Sequence, residues 1–126
     1  MDDLVLVIVD AEIDSSPSAH EHLIMPRQIA NIIKNYIKKH PENEIDIEDD
    51  FQITFDRFKV KIIDNVKIIN AFKKINKYIE TSSLSIIQAV LGTMDIRDKE
   101  YDICPWSSNL TKNDYKCILK NKHKLE

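Results

Sequence analysis

The stretch EIDIEDDFQITFDRFKVKII (residues 44–63) decides the fold class, because its apolar residues recur at every second position, as they do in half-buried β-strands. Charged residues divide the alternation into three groups, which predicts strands at 44–48, 51–55 and 58–63. The alternating residues are Ile45 and Ile47, then Phe51, Ile53 and Phe55, then Phe58, Val60 and Ile62.

Two turns would bring all of these apolar residues to one face of an antiparallel meander and leave Lys59 and Lys61 on the opposite, solvated face. We predict a three-residue turn at 48–50 and a two-residue turn at 56–57. Asp56-Arg57 lacks the positive-φ preference of Asn-Gly, so a β-bulge or a longer loop is the alternative there. The expected pairs are Ile45 with Ile53, Ile47 with Phe51, and Phe55 with Phe58.

The rest of the chain predicts one further strand and several helices. Leu4 to Val9 is a continuous apolar run typical of a buried strand, residues 11–25 read as a loop, and Thr111 is placed to cap the last helix. We therefore predict a single α+β domain over residues 1–126, with a small, mainly antiparallel sheet of about four strands packed on one face by helices. The predicted strands are 4–10, 44–48, 51–55 and 58–63, and the predicted helices are 26–39, 66–80, 83–92 and a short C-terminal 111–123.

The charge of the chain is unevenly distributed. The formal net charge is −3. Residues 1–64 carry 7 basic and 14 acidic residues, whereas residues 65–126 carry 11 basic and 7 acidic ones. One end is therefore suited to an acidic partner that the other end would repel. Gly92 is the one glycine of the chain, which excludes glycine-rich loops that cradle phosphate groups.

Composition also predicts an intracellular protein, cytoplasmic or nuclear. No stretch reaches the roughly 20 apolar residues of a membrane span. The start, Met1-Asp2-Asp3, lacks the basic residues that open a secretory signal. Cys104 and Cys117 have no disulfide or metal-ligand spacing, so reduced thiols are expected. Isoleucine outnumbers leucine and lysine outnumbers arginine, a usage typical of an AT-rich genome.

The opening run VLVIVDAEID (residues 5–14) ends in carboxylates, an arrangement that metal-dependent enzymes use. Asp10-Ala11-Glu12 resembles the first motif of the DEDD-type 3′–5′ exonucleases, which implies metal-dependent hydrolysis. The late His-x-x-x-Asp or Tyr-x-x-x-Asp motif of that family has no counterpart in the last third of this chain. His20 and His22 have a spacing used in metal sites, but no further ligand follows at a diagnostic distance. We predict no catalytic residue, no metal and no cofactor.

Binding residues are predicted in two places. Lys73, Lys74 and Lys77 form a basic stripe on one helix face, which could neutralise the phosphates of nucleic acid or anionic lipid. Tyr101 and Trp106 lie in an irregular segment, where they either fill a partner's pocket or pin the loop to the core. We predict a non-catalytic protein-interaction module, a subunit, adaptor or inhibitor of a larger complex. The alternatives are nucleic-acid or anionic-lipid binding through the lysines, and metal-dependent hydrolysis through the N-terminal carboxylates.

Overall fold

An antiparallel sheet with helices on both faces forms the protein in the computed structural model, which describes residues 3–13, 16–40, 43–48, 51–76, 86–94 and 110–125. The predicted α+β class is therefore confirmed. The strand order in the sheet is β2-β1-β4-β3. The elements are β1 (Leu4–Ile13), β2 (Ser16–Pro26), α1 (Arg27–Lys39), β3 (Asn43–Glu48), β4 (Phe51–Ile63), α2 (Val66–Asn76), α3 (Ile86–Thr93), α4 (Lys112–Lys120) and α5 (Lys122–Leu125). Within the described ranges, no helix is long and apolar enough to cross a bilayer.

The predicted hairpin at 56–57 is wrong, because β4 runs without reversal through this point. Asp10 of β1 pairs with Lys59 of β4, and Glu12 of β1 pairs with Asp56 of β4. An advance of two residues along β1 therefore lies opposite an advance of three residues along β4. The extra residue is a β-bulge, in which Arg57 takes a positive φ of 50°. Both a bulge and a two-residue turn shift the alternation of apolar residues by one position. At a bulge, however, the strand keeps its direction, whereas at a turn it reverses. The predicted strands 51–55 and 58–63 are therefore one strand, β4, and the four predicted strands correspond to three observed ones.

The fourth observed strand, β2, falls where a loop was predicted over 11–25. It pairs with β1 from Leu4↔Pro26 to Ala11↔Ala19 in one antiparallel register. Leu23 is buried in the main core, whereas His22 next to it lies on the other face. Serine, proline and histidine weaken the β propensity of this segment, and pairing with the apolar β1 overrides that weakness.

The hairpin between β3 and β4 is partly as predicted. Ile45 pairs with Ile53, as expected. Phe51 faces Glu48 instead of Ile47, because the register shifts between Asp46 and Glu48. Phe58, Val60 and Ile62 pack against the main core as predicted, while the side chains of residues 51–56 lie outside the described part of the chain.

The main core lies between one face of the sheet and helices α1, α3 and α4. Alternate residues of β1 point into it. Helix α1 contributes a stripe of apolar residues that recur at three-and-four spacing, as in an amphipathic helix: Ile29, Ile32, Ile33, Tyr36 and Ile37. Pro26 is the N-cap of α1 and not its first residue. Thr111 caps α4, as predicted, through a capping box with the buried Asp114. Fully buried members include Val5, Val7, Val9, Met25, Ile29, Ile33, Ile87, Val90 and Ile118.

Helix α2 lies on the opposite side of the sheet, here called the second face. The Phe72 ring of α2 stacks on the His22 ring of β2, with centroids 5.6 Å apart. Leu6 and Ile69 are buried but do not belong to the main core cluster, as expected of a smaller contact on the second face. The prediction that helices cover one face is therefore wrong for α2. Residues 77–80 and 83–85 of the predicted helices lie outside the described residues.

Candidate functional site

The second face changes from apolar to polar along its length. Side chains of neighbouring strands form rows across it, because residues paired in register lie on the same side of the pleat. The apolar row sits near the start of α2, and the polar row sits away from it. From one end to the other, the rows are Ile24–Leu6–Ile63, His22–Ile8–Lys61 and His20–Asp10–Lys59.

A carboxylate and two imidazoles form a hydrogen-bonded chain on these rows. The Nδ1 atom of His20 hydrogen-bonds to Oδ1 of Asp10, and its Nε2 atom lies 3.3 Å from Nε2 of His22. A proton on His20 Nδ1 satisfies the carboxylate and leaves the lone pair of His20 Nε2 facing His22. About half of the surface of both Asp10 and His20 remains exposed, at 51% each. The chain is therefore accessible to solutes.

The His22 ring is held between its neighbours. It meets the His20 ring edge-on, with centroids 4.3 Å apart, and it stacks on Phe72 at an interplanar angle of 30°. Partial burial lowers the pKa of His22, and the positive charge of a protonated His20 lowers it further, while Asp10 acts in the opposite direction. The native state thus favours a neutral His22 imidazole.

Stability of the metal-free protein is expected to fall as the pH drops below about 6.5, in part because of His22. A lowered native pKa means that the unfolded chain takes up this proton first, so the stabilisation is complete above the unfolded pKa and is lost as the pH falls through the native pKa. His22→Gln should flatten this decline, measured by urea denaturation between about pH 7 and pH 5 in EDTA. His123→Gln, at an exposed residue of α5, should leave it unchanged. Equal pH dependence in wild type and His22→Gln would contradict the assignment.

The N-terminal carboxylates do not share a partner. Asp10 bonds to His20, whereas Oε1 of Glu12 accepts a hydrogen bond from Arg57 Nη1 at 3.3 Å. Across the described part of the chain, no group of three or more His, Cys, Asp or Glu side chains could hold a metal ion together. The geometry therefore brings Asp10 together with the two histidines and directs Glu12 to the bulge.

The predicted binding lysines are only partly described. Lys73 and Lys74 are exposed on α2, while Lys77, Tyr101 and Trp106 lie outside the described residues. Lys59 and Lys61 of β4 are exposed on the second face, as their alternation predicts. What sequence reasoning missed is that α2 lies on this same face, so that strand and helix lysines share one side of the protein.

Arg27 is a second residue that sequence reasoning missed. Its Nε and Nη2 atoms donate to both oxygens of Asp3 at 2.8 and 3.1 Å, and Nη2 also donates to Asp64 at 2.6 Å. The hydrogen bond from Arg27 lowers the pKa of Asp3 and the two acids raise that of Arg27. Arg27 therefore joins the starts of β1 and α1 to the end of β4, from which α2 departs.

A shallow cleft of about 190 Å³ lies between α1 and α5. It is smaller than the roughly 300–1,000 Å³ of most ligand pockets. Amide side chains dominate its lining, and no titratable group converges in it except one lysine. It is a poor candidate for an active site. The lining residues are Gln28, Asn31, Ile32, Asn35, Lys122 and Leu125.

No protein-family model, curated protein or solved structure matches this chain. The geometry alone thus defines the class: an α+β protein with an antiparallel sheet that carries a histidine-containing polar face beside a lysine-bearing helix.

Proposed function

We propose that the protein is a non-catalytic interaction module that binds an acidic partner protein through its basic face. The basic face consists of Lys59 and Lys61 of β4 and Lys67, Lys73 and Lys74 of α2. The observation that carries the proposal is the position of α2, because the stack of Phe72 on His22 places the helix on the side of the sheet that bears the strand lysines.

The charges of the basic face are available to a partner. Within the described residues, none of the five lysines lies within 4.0 Å of a carboxylate oxygen. The chain as a whole has a net charge of −3, so these cations stand out from an acidic background. Such local complementarity steers an acidic partner to one face and fixes its orientation.

Apolar side chains beside the lysines favour a protein over a phosphate polymer. Val66 and Ile68 of α2 are 70% and 45% exposed, the two large apolar side chains that stand out among the described residues. Protein interfaces combine an apolar centre with a charged rim, whereas phosphate binding needs the cations alone. The same five lysines make nucleic acid or an anionic lipid surface the second candidate.

Two double variants are expected to separate the contributions of charge and apolar surface. Lys59→Glu/Lys61→Glu should weaken partner binding at least about tenfold, because the reversed charges repel an acidic surface. Val66→Ser/Ile68→Ser should also weaken it, because it removes the apolar contact. The measurement is quantitative affinity purification of crosslinked complexes against wild type, followed by titration of each recovered protein. Lys34→Glu/Lys38→Glu, at exposed residues of α1, is the matched control and should bind normally.

Other outcomes would contradict the proposal. If an oligonucleotide or phosphatidylserine vesicles bind at about 50 mM salt, and binding depends on Lys59 and Lys61 but not on Val66 and Ile68, the second candidate replaces the first. If every recovered protein binds the charge-reversed variant as well as wild type, the basic face is not the interface.

A further inference from the structure

The structure assigns a metal-binding site to His20 and His22, whose Nε2 atoms together bind one divalent transition-metal ion of the zinc type. Asp10 does not bind the metal in this assignment; it orients His20. This inference is independent of the proposed partner binding.

The separation of the two nitrogens is the first observation. His20 Nε2 and His22 Nε2 lie 3.3 Å apart. Two imidazole nitrogens bound to one tetrahedral zinc ion, each at 2.0–2.1 Å, are about 3.3–3.4 Å apart. The two histidines alternate on a single β-strand, so both side chains leave the same face of the sheet. The strand therefore places both side chains on one face with their Nε2 atoms at the separation that coordination requires, and only the side-chain rings have to turn.

The hydrogen bond from His20 to Asp10 is the second observation. A metal ion takes the lone pair of a neutral imidazole nitrogen, and a carboxylate on the other ring nitrogen fixes that tautomer and raises the basicity of the ligand. Asp10 holds the Nδ1 proton of His20 and leaves Nε2 directed at His22. The stack on Phe72 holds the His22 ring in place. Asp10 thus orients His20, while the two rings, with centroids 4.3 Å apart, must rotate to a separation of about 5 Å for both Nε2 lone pairs to meet one tetrahedral ion.

The site has two protein ligands, which determines its character. Among the described residues, no third His, Cys, Asp or Glu completes a cluster with the two imidazoles. Lys59 and Lys61 share rows with the ligands and oppose a bound dication, while Asp10 attracts it. These features define an exposed, exchangeable site, in contrast to the closed four-ligand sites that hold zinc structurally.

Titration of zinc chloride into EDTA-stripped full-length protein tests the assignment, with free zinc measured by a chromophoric chelator. Wild type should take up one equivalent saturably, and the Hε1 NMR signals of His20 and His22 should shift together. His20→Ala and His22→Ala should each abolish stoichiometric uptake. Asp10→Asn should weaken it by about 10–100-fold, because the ligands remain but their orienting partner is lost. His40→Ala and His123→Ala are matched controls at exposed histidines outside the site and should bind as wild type.

Circular dichroism of each variant separates loss of the site from loss of the fold. The assignment is overturned if folded wild type takes up no zinc. It is also overturned if the folded His20→Ala or His22→Ala variant retains the full equivalent, or if uptake disappears in His123→Ala.

Discussion

Replacing Ile33 by alanine is expected to lower the free energy of unfolding by about 3–4 kcal/mol. Ile33 is fully buried in the stripe of α1 that packs on the sheet. The substitution removes three methyl or methylene groups from water-free surroundings and leaves a cavity that neighbours on β1 can fill only in part. Since small domains are stable by only about 5–15 kcal/mol, this is a large fraction of the total.

Urea denaturation of wild type and Ile33→Ala, followed by circular dichroism, measures the loss. Ile68→Ala is the matched control, because it makes the same change at a 45% exposed side chain of α2 and should cost less than about 1 kcal/mol. If the two variants lose equal stability, α1 does not pack on the sheet as the structure shows. If Ile68→Ala is the more damaging of the two, the exposed position of Ile68 on α2 is wrong.

Replacing Glu21 by alanine is expected to cost about 2–3 kcal/mol of stability. Glu21 is a buried carboxylate on the core side of β2, with an exposure of 9%. Its Oε2 atom accepts a 2.7 Å hydrogen bond from the backbone N–H of Ile86, the first residue of α3. The first N–H groups of a helix have no partner within the helix, and a negative charge there is favoured by the helix dipole. Alanine would leave a buried donor unsatisfied.

Glu21→Gln separates the hydrogen bond from the charge. Glutamine retains a carbonyl oxygen at nearly the same position, so it should recover roughly half of the loss, because a neutral acceptor is weaker than an ionised one. Both variants are measured by urea denaturation at pH 7. If Glu21→Ala is as stable as wild type, the contact with Ile86 does not hold α3 to the sheet.

Glu21 also shows where sequence reasoning stops. Its neighbours His20 and His22 invite a metal interpretation of the whole segment, and a loop is the natural prediction for a stretch with serine and proline. The role of Glu21 depends on Ile86, which is 65 residues away in the chain. No local pattern contains that relation, because it arises only when β2 pairs with β1 and α3 packs on the sheet.

The β-bulge at Arg57 is a second feature that local sequence patterns could not decide, for a different reason. The shift in apolar phase between Phe55 and Phe58 was visible in the chain, and two local structures satisfy it, a tight hairpin and a bulge. Pairing of β1 with both halves of β4 chooses the bulge, because a hairpin at this point would leave the edge of β1 without its ladder. The choice therefore depends on a strand more than 40 residues earlier.

Residue spacing alone was sufficient to predict the features that depend on neighbours within a few residues. These are the mixed α+β class, the buried stripe of α1, the β3–β4 pair at Ile45 and Ile53, and the cap at Thr111. Contacts between residues on different strands, or between a strand and a helix, were determined only by the assembled sheet. Asp10, His20 and His22 meet, and α2 joins Lys59 and Lys61, because register and crossover bring distant segments together. Hydrophobic periodicity specifies which side of an element is buried, but it does not specify against which neighbour.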